Sequence, residues 1–215
     1  DAGEVEAIFQ HAPDVLKPVL RMFACTGIRH DELVEMQFSD IDFERKVVTV
    51  RSETAKNRTE REIPLEDDLL GMLNELRHQA AFRQPDATGP AHVAAGKVRN
   101  FSQDHVFVTG ANTPWRHHLL ERFYSVCEAA GIEGAEPGGS VDIHALRGTF
   151  ITLAIDHGAN PKAVQGIVGH KSERMTMGVY AKATERGKRD AVSALPFAKV
   201  SHPAHIVRLG EQKTA

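Results

Sequence analysis

The 215-residue sequence predicts a mainly helical protein with a small antiparallel sheet, an α+β class. Three observations carry that expectation. Apolar residues recur at intervals of three and four in most segments, the spacing that places them on one helical face. One valine-rich stretch, 46–51, alternates instead, and 61–65 supplies a partner for it. Finally, 41% hydrophobic and 26% charged residues are ordinary proportions for a globular chain with one sizeable core.

Taken in order, 4–10 carries Val5, Ile8 and Phe9 at helical spacing. Asp14 is placed to cap a second helix containing Leu16, Val19, Leu20 and Phe23, with Pro18 in its first turn and Gly27 at its end. Asp31 and Glu32 then open a short helix with Leu33 and Met36, where carboxylates suit the positive end of the dipole. Arg29 stands at the junction, a position that equally suits a surface arginine in a salt bridge. The strands 46–51 and 61–65 form a hairpin that Pro64 ends. Lys56 lies in the connecting turn, where a lysine also serves simply to keep a loop soluble.

An amphipathic helix follows over 67–82 with Leu69, Leu70, Leu73 and Leu76. The stretch 84–104, rich in Ala, Gly and Pro, has no steady period and reads as a mobile surface insertion. A short strand is expected over 106–108, and Pro114 is expected to open a helix through Leu119, Phe123, Val126 and Cys127 that stops at Gly131. After a Gly-Pro loop over 133–139, Asp142 begins a helix with a buried stripe of Ile143, Leu146, Phe150 and Leu153. His144 and Arg147, three apart on the flank of that stripe, can reach one ligand together. Asn160 and Pro161 make an N-cap and first-turn pair, Val164, Ile167 and Val168 give the apolar face, and Gly169 closes the helix. His170 therefore leaves that helix at a fixed exit. Tyr180 follows a basic, methionine-bearing segment and reads as exposed. A further helix is expected over 183–195 and a frayed terminus over 201–215.

The net charge of −3 argues mildly against a nucleic-acid partner, but its distribution points the other way. Lys171, Arg174, Lys182, Arg186, Lys188 and Arg189 gather around Tyr180, and Arg51, Lys56, Arg58 and Arg61 mix with Glu53, Glu60 and Glu62. Either cluster also reads as a solvated face. There is no apolar run long enough to cross a bilayer and no leader pattern, so a cytoplasmic protein without a membrane partner is expected. Cys25 and Cys127 read as two buried thiols. Adjacent His117 and His118 point in different directions on a helix, and no carboxylates cluster as in a two-metal site; neither a metal nor a cofactor is expected. The start at Asp1, with apolar periodicity almost at once, suggests a segment of a longer protein with a preceding domain.

Tyr180 is the expected nucleophile. A phenol ionises near pH 10, so it needs a site that removes its proton and stabilises its target. The strings that supply such a site are Thr26-Gly27-Ile28-Arg29-His30-Asp31-Glu32-Leu33, Lys56-Asn57-Arg58 followed by Arg61 and Ile63-Pro64-Leu65, His144-Ala145-Leu146-Arg147-Gly148-Thr149-Phe150, and Gly169-His170-Lys171-Ser172 with Tyr180. Together, in this order, they resemble the signature boxes of the tyrosine recombinase (phage integrase) family.

The resemblance implies that family's catalytic-domain fold over 1–200, with a tail over 201–215. It implies that Arg29 and Arg147 bind the scissile phosphate and that Lys56 is a general acid. His144 and His170 would complete the proton-transfer and phosphate-holding shell, Tyr180 would attack, and Glu32 would support the site. Arg58, Lys171, Arg174 and Lys182 would contact DNA. The implied activity is site-specific recombination through a 3′-phosphotyrosyl link, on double-stranded DNA, by a monomer that becomes a homotetramer on its site. It would proceed without metal or ATP in a nucleoid-associated protein. A type IB topoisomerase-like nicking and closing enzyme uses a similar set of groups. A noncatalytic DNA-binding module of the same fold is the third reading.

Overall fold

The computed structural model describes residues 1–82, 104–111 and 113–183. The insertion expected over 84–104, apart from Asp104, and the tail beyond 183 lie outside these residues.

The first helices, α1 (Ala2–His11) and α2 (Lys17–Thr26), pack on each other. α2 starts later than the sequence suggests, and Asp14 does not cap it. The amides of Leu16 and Lys17 already bond the Pro13 carbonyl at 2.8 and 3.0 Å, so the entry turn needs no side-chain acceptor, and Asp14 pairs with Lys17 instead. Gly27 ends α2 at φ 58°, the left-handed conformation that an L side chain resists. A Cβ there would also lie 2.6 Å from Cδ1 of Phe150. The same helix corrects a second expectation. Met22, Phe23 and Thr26 turn inward and Cys25 is exposed; only Cys127 is a buried thiol, pushed up to about 11 by burial and by Glu4.

After α3 (His30–Val34) and a 3-10 turn at Phe38–Asp40, the strands β1 (Ile41–Asp42), β2 (Val47–Val50) and β3 (Arg61–Pro64) form an antiparallel meander. Val48 faces Ile63 in the register and both are buried, while Pro64 pairs with Val47 at the end of the ladder, where a missing N–H is tolerated. β1 is two residues long and leaves no periodic signal. The meander is followed by α4 (Asp67–Ala80).

The strand expected over 106–108 is absent. Val106 and Phe107 are buried, but the segment pairs only through isolated bridges, Gln37 with His105 and Val108 with Pro114. Pro114 is occupied in that bridge, so the next helix, α5 (Leu119–Ala129), begins five residues later, after buried Trp115.

α6 (His144–Asp156) is entered with the Asp142 carboxylate accepting from the His144 amide at 2.8 Å. Its stripe also differs from expectation. Ile143, Leu146 and Ile151 are buried, whereas Phe150 and Leu153 are only half-buried, because α6 spans two apolar clusters. The large one gathers Phe23, Leu33, Val48, Ile63, Leu73, Phe123 and Leu146; the small one is Ile151, Val164 and Val168, with Phe150 and Val179 packed against it. α7 (Pro161–Val168) and α8 (Glu173–Ala183) close over the small cluster. Asn160 caps α7 through the Lys162 amide at 2.8 Å, and Gly169 ends it at φ 65°, as the sequence predicts. Among the described residues, no helix is long and apolar enough to cross a membrane.

Candidate active site

The ends of these elements meet around one cavity of about 670 Å³, lined by Arg29, Lys56, His144, Arg147, His170 and Lys171 among others, with Glu32 at its base. Each comes from a different local device. The left-handed stop at Gly27 turns the chain so that Arg29 precedes α3, and the first turn of α6 presents His144 and Arg147. The β2–β3 connection carries Lys56, and the stop at Gly169 releases His170 and Lys171.

The floor of the cavity is the carbonyl end of α7, gripped by three guanidinium groups. Arg61 Nε donates to the Ile167 carbonyl at 2.8 Å. Arg29 Nη1 and Arg147 Nη2 donate to that of Val168 at 3.0 and 2.6 Å, and Arg29 Nη2 donates to that of Gly169 at 2.8 Å. Arg147 Nη1 donates to the Gly27 carbonyl as well. The last carbonyls of a helix lack intrahelical partners and carry the negative end of its dipole, so cations are stabilised there. One carboxylate joins the group. Glu32, with a side chain 1% exposed, accepts from Arg61 through both oxygens at 3.0 and 2.6 Å, from Arg29 Nη1 at 3.2 Å and from the Arg29 amide at 3.0 Å.

Three guanidiniums face one carboxylate, and this excess decides the electrostatics. Burial alone would raise Glu32, but the hydrogen bond and charge of Arg61, with the amide and charge of Arg29, outweigh it and hold the carboxyl below its usual range. Burial, then the charge of Arg29, pulls Arg147 down to about 9, so it remains a cation at neutral pH. Burial, then Arg147 and Arg29, lowers His170 to about 4. His170 is therefore neutral at pH 7, and its Nδ1 lies 3.0 Å from Oγ1 of buried Thr176. A half-buried pocket with surplus positive charge, forked donors and a neutral imidazole is suited to a phosphate.

The remaining expected residues fall at different distances from this centre. Lys56 is exposed on its loop at the cavity wall, and His144 is exposed with Nδ1 3.9 Å from Asp142. Lys171 lines the cavity; Arg174 and Arg58 are exposed, the latter at φ 53°. Lys182 lies in the last turn of α8, and its side chain is outside the described set. Tyr180 is half-buried, not exposed, because it lies inside α8 and not in a loop. It falls one turn after Thr176, the partner of His170, on the same face of the helix. Among the described residues, the α8 side chain that lines the cavity is Met175.

Arg61 is the residue whose part the sequence did not disclose. It appears there in a mixed charge cluster and after the Lys56 string, in both cases without a role, yet its side chain is 9% exposed and joins β3 to α7 across 106 positions. His30 and Asp31, bonded to each other at 2.9 Å, also line the cavity without any sequence signal beyond their place beside Arg29.

Comparison with known proteins agrees with this architecture. The chain is 26% identical to a tyrosine recombinase XerC-like protein of Caldanaerobacter subterraneus subsp. tengcongensis, over 84% of this chain and 49% of that one. It is 27% identical to the tyrosine recombinase XerA of Pyrococcus furiosus, over 78% and 50%. The chain thus spans about half the length of the curated relatives it matches. Among solved structures, a crystal structure of XerA recombinase superposes with a TM-score of 0.69 at 20% identity, over 90% of this chain and 63% of that one. A lambda integrase dimer bound to a COC' core site gives 0.61 at 20% identity, over 84% and 47%. Those likenesses establish the tyrosine recombinase fold. The Phage integrase family model itself matches residues 1–186, from α1 through the helix that bears Tyr180, and the chain belongs to that family.

Proposed function

We propose that this chain is the catalytic unit of a site-specific DNA recombinase. The observation that carries the reading is the convergence of Arg29, Arg147 and His170 on one cavity where Arg29, Arg147, Lys56 and Lys171 outnumber the carboxylates of Asp31 and Glu32. Attack on a phosphodiester puts further negative charge on the nonbridging oxygens, and fixed cations stabilise that growing charge best. Arg29 and Arg147 still have donors beyond those bonded to the carbonyls and to Glu32. These would bind the nonbridging oxygens. In the tautomer that accepts at Nδ1 from the Thr176 hydroxyl, neutral His170 would carry its proton on Nε2 and donate it to the same phosphate.

In the step itself, Tyr180 Oη forms a bond to phosphorus and the bond from phosphorus to O5′ breaks. The departing O5′ takes a proton from Lys56, and the phenolic proton passes to His144 of the histidine shell. The energy of the broken ester is kept in the 3′-phosphotyrosyl link, so rejoining to another 5′-hydroxyl needs no ATP. Arg58, Lys171, Arg174 and Lys182 would follow the duplex backbone, with affinity that falls as salt rises. The partner is a double-stranded recombination site bound by four copies of the protein, which is monomeric without it, in the cytoplasm at the nucleoid. The lambda integrase likeness, a dimer on a core site, supports the DNA partner.

A nicked suicide duplex tests the nucleophile. Wild type should form a protease-sensitive adduct at the 3′ end and Tyr180→Phe none; equal adduct from both would remove Tyr180 from the role.

A further inference from the structure

We infer that Arg61 is a positioning residue that keeps Arg29 available for phosphate by occupying both oxygens of Glu32. The inference rests on the phosphate-binding reading of Arg29 above. Among the described residues, Glu32 is the one acidic side chain bonded to the arginine cluster, and two guanidiniums reach it. Arg61 takes it with a parallel fork, 3.0 Å to Oε1 and 2.6 Å to Oε2, the bidentate geometry that makes an arginine and carboxylate pair strong. The guanidinium of Arg29 is left with one longer contact at 3.2 Å. Its other bonds go to backbone carbonyls, which are neutral and hold a guanidinium less firmly than a carboxylate does.

Arg61 is fixed well enough to win this competition. It leaves the first position of β3, donates through Nε to the Ile167 carbonyl at 2.8 Å, and lies flat against Gly169. A Cβ on Gly169 would come within 3.0 Å of Arg61 Nε and 3.1 Å of Cζ. Three anchors therefore set the plane of the guanidinium: the carboxylate, the end of α7, and the glycine before His170. Without that fork, a carboxylate with a side chain 1% exposed would take Arg29 as its bidentate partner, because a buried charge must be matched. The donors of Arg29 would then turn from the cavity to its floor. Lysine cannot substitute, since a single ammonium cannot span two oxygens and a carbonyl in one plane.

The test is a binding ratio, read in a Tyr180→Phe background so that no chemistry intervenes. Affinity is measured for a duplex with an ordinary scissile phosphate and for one with a neutral methylphosphonate at that position. The ratio of the two affinities reports how strongly the arginines engage the phosphate charge. Arg61→Lys should lower this ratio by about tenfold, the scale of one charged hydrogen bond, and adding Glu32→Gln should restore it, because a neutral amide does not capture Arg29. In the Glu32→Gln background, Arg61→Lys should leave the ratio unchanged, a comparison that stands even if the single variant is poorly folded. An equal loss on both duplexes, a lowered ratio that Glu32→Gln fails to raise, or a further drop within the Glu32→Gln background would each overturn the assignment. Failure of Tyr180 to form an adduct is a separate result and bears on the recombinase reading alone.

Discussion

Neutral His170 links the cavity to stability at the level of single residues. Its folded value is about 4 against an ordinary 6.5, so between those limits the unfolded chain binds a proton that the folded chain refuses. Stability is therefore full above pH 6.5 and declines as pH falls towards 4. Urea midpoints measured across that window should fall more steeply for wild type than for His170→Asn; parallel slopes would show that the imidazole is not held neutral. Lys56 allows a chemical test. Lys56→Ala should lose cleavage on ordinary DNA by roughly 10²-fold or more and recover on a substrate with a 5′-thiol leaving group, which departs without an acid. Equal loss on both would exclude the acid role. The cavity-lining residues Arg29, Lys56, His144, Arg147 and His170 were legible in the sequence because each falls in one of the strings that resemble the family's signature boxes. Arg61 was not, since its partners Glu32 and Ile167 lie 29 and 106 positions away and only packing brings them together.

Helix stops do most of the positioning at the next scale. Gly27 combines a left-handed backbone with a contact to Phe150 that leaves no room for a methyl group. Gly27→Ala should therefore destabilise the protein by roughly 2–4 kcal/mol, from strain and overpacking together, and should displace Arg29 with it. Thermal melts and adduct yield check both effects; an unchanged melting temperature would mean that Phe150 yields at little cost. Loss of the α7 cap in Asn160→Ala should cost about 1 kcal/mol, far less than the glycine change. These stops were readable because they depend on local chemistry. Elements set by pairing and not by periodicity were not, as the bridge that occupies Pro114 and the two-residue β1 show. The helical setting of Tyr180 escaped notice for a related reason. The segment before it exposes Met175 and Met177 and buries Thr176, which reverses the usual apolar pattern.

On the scale of the whole molecule, the two apolar clusters divide the fold unequally. The larger includes fully buried Phe23, Phe107 and Phe123, whereas Ile151, Val164 and Val168 make up the smaller. Amides of α7 and α8 should therefore exchange with solvent at lower opening free energy than those of α2 and α5. Equal protection would mean that the molecule opens as a single unit. The fold class was legible from periodicity, but this division was not, because it depends on how α6 rotates between the clusters. It matters most for the arginines gripping the carbonyl end of α7. Their bonds are made wholly within the chain, so on the proposed reading the pocket would be assembled before any DNA arrives, and a ligand would not switch on what is already in place. Under the proposed function, control over when a strand is cut would then pass to the parts outside that grip, the Lys56 loop and the helix bearing Tyr180. In such a machine the anvil is permanent and only the hammer is timed.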